Sequence, residues 1–329
     1  MIAVFGASVT QQKNGYATKL HKYFNHPIKV FGYGGMHLNN AAVCFINEII
    51  AEKPSYCFID WFSSEYIEIN DEAVQYIDTL INKCSSINCK PIFVFFPRKE
   101  DFPVRNDFYL FCKSILNKRK IFFIDVATEI ETHDINKVLR DTIHTTEYGS
   151  NLYSKVIYEK FIENRDNISV PNKLPDTKYA CVKRIKVNRE FKNCIRLSGN
   201  CEVIGFLLTI GPHSGMVEII DGLESYNENT WDRWCHYSRK HFNLPMTVSG
   251  NVQINILQTR FDTTSCKSQM DFTKEQKKLI VHKIFYVGDN LIVKNMNDGC
   301  RIRKISLRRL NVIGRLKQYR KAIVSKLWG

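Results

Sequence analysis

The amino-acid sequence predicts an α/β protein in two parts: a five-stranded parallel sheet between helices over residues 1–166, then an antiparallel β-sandwich over 179–300. Three observations carry this reading. Short apolar runs alternate with segments of helical spacing through the first half of the chain. A polar stretch containing Pro171 and Pro175 interrupts the pattern at 167–178 and reads as a linker. Beyond it helical spacing fades, and short β-type runs recur between Gly, Asn, Asp and Pro.

In chain order, apolar runs at 2–5, 28–31, 56–60, 91–96 and 121–125 read as strands. Helical spacing covers about 15–24, 38–52, 71–86, 105–117 and 146–163. The runs are short and apolar throughout, as expected of a parallel sheet covered on both faces. Ligands of such sheets bind beyond the carboxyl ends of the strands. Ser8 follows the first run, Gly32 to Gly35 the second, Phe62 to Glu65 the third, and Asp141 and His144 the fifth. All four segments therefore fall on one edge. In the second part, β-type segments are read at 180–187, 194–197, 203–210, 215–220, 252–258, 278–285 and 290–294. From about residue 312 the chain returns to helical spacing.

The 329 residues carry a net charge of +14, concentrated at one end: 301–329 holds ten Lys and Arg and no acidic residue. Ile313, Leu316, Ile323, Leu327 and Trp328 recur there at near-helical spacing among Arg315, Lys317, Arg320, Lys321 and Lys326. A basic amphipathic helix of this kind suits an anionic membrane surface. No nucleic-acid reading module accompanies the charge, so nucleic acid is not an expected partner. No window reaches the length and apolarity of a membrane span, and no secretory signal is read at the start. Eleven cysteines, an odd number without C-x-x-C pairs, read as free thiols in a reducing, cytoplasmic setting with no metal site. Gly32 to Gly35 lacks the spacing of a phosphate loop or a dinucleotide fingerprint.

The chemistry rests on three positions. A serine hydroxyl is a weak nucleophile that needs a neighbouring base; a histidine serves near neutral pH, and a carboxylate fixes its tautomer. Ser8 sits in the small-residue turn Gly6-Ala7-Ser8-Val9-Thr10, and Asp141-Thr142-Ile143-His144 places an acid and an imidazole three residues apart. Position 10 is Thr, so the turn is not a G-x-S-x-G elbow. Found at opposite ends of one α/β pattern and on its ligand-binding edge, these residues point to serine acyl transfer.

Over about residues 1–165 the chain resembles the SGNH/GDSL hydrolase superfamily. Gly6-Ala7-Ser8 is similar to the family's first block, Gly35 to its second-block glycine, and Asp141-x-x-His144 followed by Gly149 to its last block. The resemblance implies a flavodoxin-like five-stranded sheet of SGNH type, with Ser8 as nucleophile, His144 as base and Asp141 as its partner. It implies an oxyanion hole formed by the amides of Ser8 and Gly35. Two positions depart from the pattern: the first-block aspartate is Ala7, and the third-block asparagine aligns with Ser64. Ser64 is read as the replacement donor, and loss of one such donor costs about 10²–10³ in rate.

His37 and Glu65 are read as substrate contacts. The aromatic run Trp231-Asp232-Arg233-Trp234 offers Trp231 and Trp234 as a stacking surface for sugar rings. Together with the resemblance, this leads to a serine O-acyltransferase that moves an acetyl group from acetyl-CoA to a bacterial surface or capsular polysaccharide, at the inner face of the membrane. No permanently bound cofactor is expected. A carbohydrate O-acetyl esterase using the same site is the alternative, and a non-catalytic glycan-binding protein is a third reading.

Overall fold

A computed structural model describes residues 1–36, 40–61, 69–232, 234–258 and 276–295. His37, Ser64, Glu65 and the basic segment 301–329 lie outside the described residues. Residues Met1–Asn295 form one compact unit. Its first half is a parallel sheet of β1 (Ile2–Gly6), β2 (Ile28–Gly32), β3 (Tyr56–Asp60), β4 (Lys90–Phe95) and β5 (Phe123–Asp125), in the order β2-β1-β3-β4-β5.

The period of two along each strand builds both faces of this sheet. Ala3, Phe5, Cys57, Ile59, Phe93 and Phe95 pack on one face against α3 (Asn40–Ile50), α4 (Asp71–Ser85) and α5 (Asp107–Arg119). Ile2, Val4, Phe58, Ile92 and Val94 pack on the other against α2 (Tyr16–Lys19) and α8 (Glu147–Asn164). Asn70 and Asn106 accept from the amides of Ala73 and Tyr109 at 3.0 and 2.9 Å, capping α4 and α5. The helix expected over 15–24 is a single α turn followed by a 3₁₀ turn, Leu20–Lys22. Three further short helices escaped the periodicity, which one turn is too short to display: α1 (Ser8–Gln11), α6 (Val126–Glu129) and α7 (Ile135–Val138).

The second half is an antiparallel sheet of seven strands: β6 (Lys183–Phe191), β7 (Cys194–Ile210), β8 (Met216–Asp221), β9 (Glu224–Asn229), β10 (Arg239–Asn243), β11 (Met246–Ile256) and β12 (Leu279–Asn295). All seven hydrogen-bond into one sheet. β7 and β12 each join two of the expected segments. Gly199-Asn200 and Gly288 read as breaks in sequence, but the strands pass through them with shifts of register. β9 was not anticipated because all its residues, Glu-Ser-Tyr-Asn-Glu-Asn, are exposed and carry no apolar alternation.

Along the middle of β7 and β12 both faces of this sheet are covered. Val203, Phe206, Leu208 and Ile284 enter the sheet's own core, while their neighbours Ile204, Leu207 and Phe285 enter the core around α3. Phe45 of α3 stacks on Tyr33 at 4.2 Å and meets Phe285 edge-on at 5.4 Å. Glu48 of α3 accepts from Tyr33 Oη and pairs with Arg184 and Lys283. The expected linker at 167–178 is docked along α4, where Asn82 and Ser85 donate to the carbonyls of Leu174, Pro175 and Pro171. Among the described residues, no helix is long and apolar enough to cross a membrane. The nine described cysteines are free thiols, and no described group of side chains has the makings of a metal site.

Candidate active site

Ser8 follows β1 at the carboxyl edge of the parallel sheet and opens α1. Asp141 and His144 lie in a tight loop closed by a bridge between Leu139 and Thr145 and by the Arg140 amide donating to His144 O at 2.9 Å. Gly149 is needed behind this loop: a Cβ there would lie 2.1 Å from the Val138 carbonyl oxygen. Thr146 caps α8 by accepting from the Gly149 amide at 3.0 Å. The first turn of α8 and the loop thus lock one another in place.

The three side chains converge. His144 Nε2 lies 3.0 Å from Ser8 Oγ, and His144 Nδ1 lies 3.0 Å from both carboxylate oxygens of Asp141. A carboxylate only accepts, so Nδ1 carries the proton and Nε2 is left to accept from the serine hydroxyl. Asp141 also accepts from the amides of Ile143 and His144 at 3.1 and 2.8 Å. Partial burial opposes its ionisation, but those two amides and the imidazole outweigh burial and hold its carboxyl below the ordinary value. The arrangement is that of a serine nucleophile with its base and the base's orienting carboxylate.

The glycine turn after β2 lies against the serine. A Cβ on Gly34 would be 2.1 Å from Gln11 Oε1 and 3.9 Å from Ser8 Cβ. Gly35 has φ +73°, a left-handed conformation that favours glycine. Ala7, in place of the family's aspartate, is buried, and its amide donates to the Asp60 carbonyl at 3.2 Å.

Two contacts were missed in the sequence. Gln12 brackets Thr145: its Nε2 donates to the Thr145 carbonyl at 2.9 Å and its Oε1 accepts from the Thr145 amide at 3.2 Å. It thereby fastens the helix that begins at Ser8 to the residue after His144. Its place just past the one-turn helix that Ser8 opens was the available signal. The second is Arg239, at the start of β10. A Cβ on Gly35 would lie 2.4 Å from Arg239 Nη1, so the guanidinium packs on the glycine that the resemblance assigns to the oxyanion hole. Asp232 pairs with Arg239 Nη2 and accepts from the Trp234 amide at 2.9 Å. Trp231 and Trp234 lie partly exposed in this same loop, 230–238, so the aromatic run is coupled to the rim of the site through Asp232 and Arg239.

No protein-family model matches this sequence, and no curated protein matches it. The chain is similar to the crystal structure of a two-domain esterase active on acetylated mannans, determined with mannopentaose. The TM-score is 0.66 at 12% identity, covering 88% of this chain and 91% of that one. The same esterase without the oligosaccharide gives a TM-score of 0.63 at 12% identity, with the same coverage. An acetyl xylan esterase covers 48% of this chain and 98% of its own, at 14% identity and a TM-score of 0.40. At 12% identity the likeness is one of fold, and the fold of this chain is a five-stranded parallel sheet carried in one compact unit with an antiparallel sheet of seven strands.

Proposed function

We propose that this chain is a serine esterase that removes O-acyl groups, acetyl above all, from a polysaccharide. The observation that carries the reading is the 3.0 Å contact between His144 Nε2 and Ser8 Oγ, with Asp141 behind the imidazole. The likeness in fold to an esterase active on acetylated mannans, extending over both sheets, supports the substrate class. A purely glycan-binding role leaves this chain of hydrogen bonds without a use.

In the reaction, Ser8 Oγ attacks the ester carbonyl carbon while its proton passes to His144 Nε2. Negative charge gathers on the carbonyl oxygen, beside the backbone of Gly34 and Gly35. Collapse returns the proton from His144 to the departing sugar hydroxyl and leaves an acyl group on Ser8. Water, deprotonated by the same imidazole, then releases the carboxylate and restores the serine.

A second reading keeps the acyl-enzyme and lets a sugar hydroxyl resolve it, with acetyl-CoA as donor and a capsular or surface polysaccharide as acceptor. The basic segment 301–329 favours it, because a helix of that composition would hold the enzyme at the cytoplasmic face of an anionic membrane, where acetyl-CoA and growing glycans are both at hand. Incubation with acetylated mannan, and separately with acetyl-CoA plus deacetylated mannan, separates the two. Acetate release from the first, with no CoA release from the second, is the expected outcome. CoA release that depends on the glycan would make transfer the function. Vesicles containing anionic lipid test the membrane placement: flotation of the full chain supports it, and equal recovery with neutral vesicles removes it.

A further inference from the structure

Arg239 has more donors than the described residues satisfy. A guanidinium offers five N–H groups. One Nη2 donor goes to Asp232, and Nη1 reaches the Lys240 carbonyl at 3.4 Å, the far limit of a hydrogen bond. The Nε–H is buried and has no partner among the described residues. The side chain is 14% exposed, so water does little for it. A buried N–H left without an acceptor is costly, and each such group calls for an explanation, a catalytic role among them. The guanidinium lies on Gly35, whose neighbour Gly34 lies on Ser8. The sequence meanwhile places Ser64 where the family has its amide donor to the oxyanion.

We propose that Arg239, delivered by β10 of the antiparallel sheet, belongs to the acyl site and holds the ester carbonyl oxygen as it becomes negative, with Asp232 as its positioning residue. The inference rests on the serine-esterase reading. As the Ser8 Oγ–carbon bond forms, the carbonyl π pair moves onto oxygen and the serine proton passes to His144. The new charge then lies next to a fixed, largely buried cation, and such a donor acts mainly on the transition state. The second sheet is therefore part of the catalytic apparatus.

The test uses the full chain and 4-nitrophenyl acetate, a neutral ester with no sugar to contact. Arg239→Met is expected to lower kcat by about 10²-fold with KM changed by no more than about threefold. Arg239→Lys, which keeps the charge, should recover part of the loss, and Asp232→Asn should give a smaller loss of the same kind. Unchanged kcat in Arg239→Met, a loss confined to KM, or an Arg239→Lys variant no better than Arg239→Met would overturn the proposal. If Arg239→Met fails to fold by circular dichroism, the other two variants decide it. Labelling with a fluorophosphonate separates the two layers of inference. Ser8 labelled at the wild-type rate in an Arg239→Met variant of full activity sinks the arginine alone; Ser8 unlabelled in the wild type, with turnover unaffected by Ser8→Ala, sinks both.

Discussion

The two sheets bring side chains to the same rim by different routes. In the parallel half, the residues come from the ends of strands and a short loop, and each is announced by its own local sequence. In the antiparallel half, Arg239 reaches Gly35 because Ile204, Leu207, Phe242 and Phe285 pack one side of β7, β10 and β12 into the core around α3. One route is written in motifs and the other in packing. The difference teaches where a site extends beyond its motif: shared core is what lets a second sheet add a side chain to chemistry that the first one frames.

The comparison breaks most readily at the serine. Ser8→Ala should lower ester turnover by about 10⁴-fold or more while leaving the melting temperature near that of the wild type; retained turnover would remove the parallel half's claim to the chemistry. Next comes the shared core. Phe45→Ala opens a cavity where Tyr33, Phe242 and Phe285 meet, and should cost about 3–5 kcal/mol in denaturant unfolding. Both sheets should still unfold in one transition, and two separated transitions would show that they are independent. Gly149→Ala drives a methyl group toward the Val138 carbonyl and should cost about 1–3 kcal/mol, with an added loss of kcat from displacement of the His144 loop. Gln12→Ala removes the bracket on Thr145 and should cost about 1–2 kcal/mol, its effect on kcat exceeding its effect on KM.

The smallest expected effect is a pH dependence confined to the parallel half. Burial opposes ionisation of Asp125, but Lys113 at 2.6 Å, Tyr109 and the Thr128 amide at 3.0 Å outweigh it and hold its carboxyl below the ordinary value. Its contribution to stability is complete above the unfolded-state value, near about 3.9, and is lost as pH falls through the lower folded value. Asp125→Asn should therefore be less stable than the wild type at neutral pH. The gap in melting temperature should narrow below about pH 4; a gap constant with pH would contradict this assignment.

Much of the first half was legible in the sequence because its signals are local. The strands there are short apolar runs, the three central ones buried on both faces, and Asp141 and His144 are close in sequence as well as in space. The second half was harder. The exposed strand Glu224–Asn229 has no apolar pattern, and the glycines within β7 and β12 look like ends although they mark irregular register. Nothing around Arg239 in sequence announces that a residue more than two hundred positions from Ser8 comes to rest on Gly35. Gln12 lay between these cases: its spacing from Ser8 was readable, its partner was not.

Ser8 is the residue expected to carry the acyl group. Rapid quenching of the enzyme during turnover of an acetyl ester, followed by peptide mass spectrometry, tests it directly. One acetyl group is expected on the peptide containing Ser8, appearing before steady state and missing from Ser8→Ala. Turnover with that peptide unmodified, or an acetyl group accumulating at another residue in the Ser8→Ala variant at the wild-type rate, would contradict it.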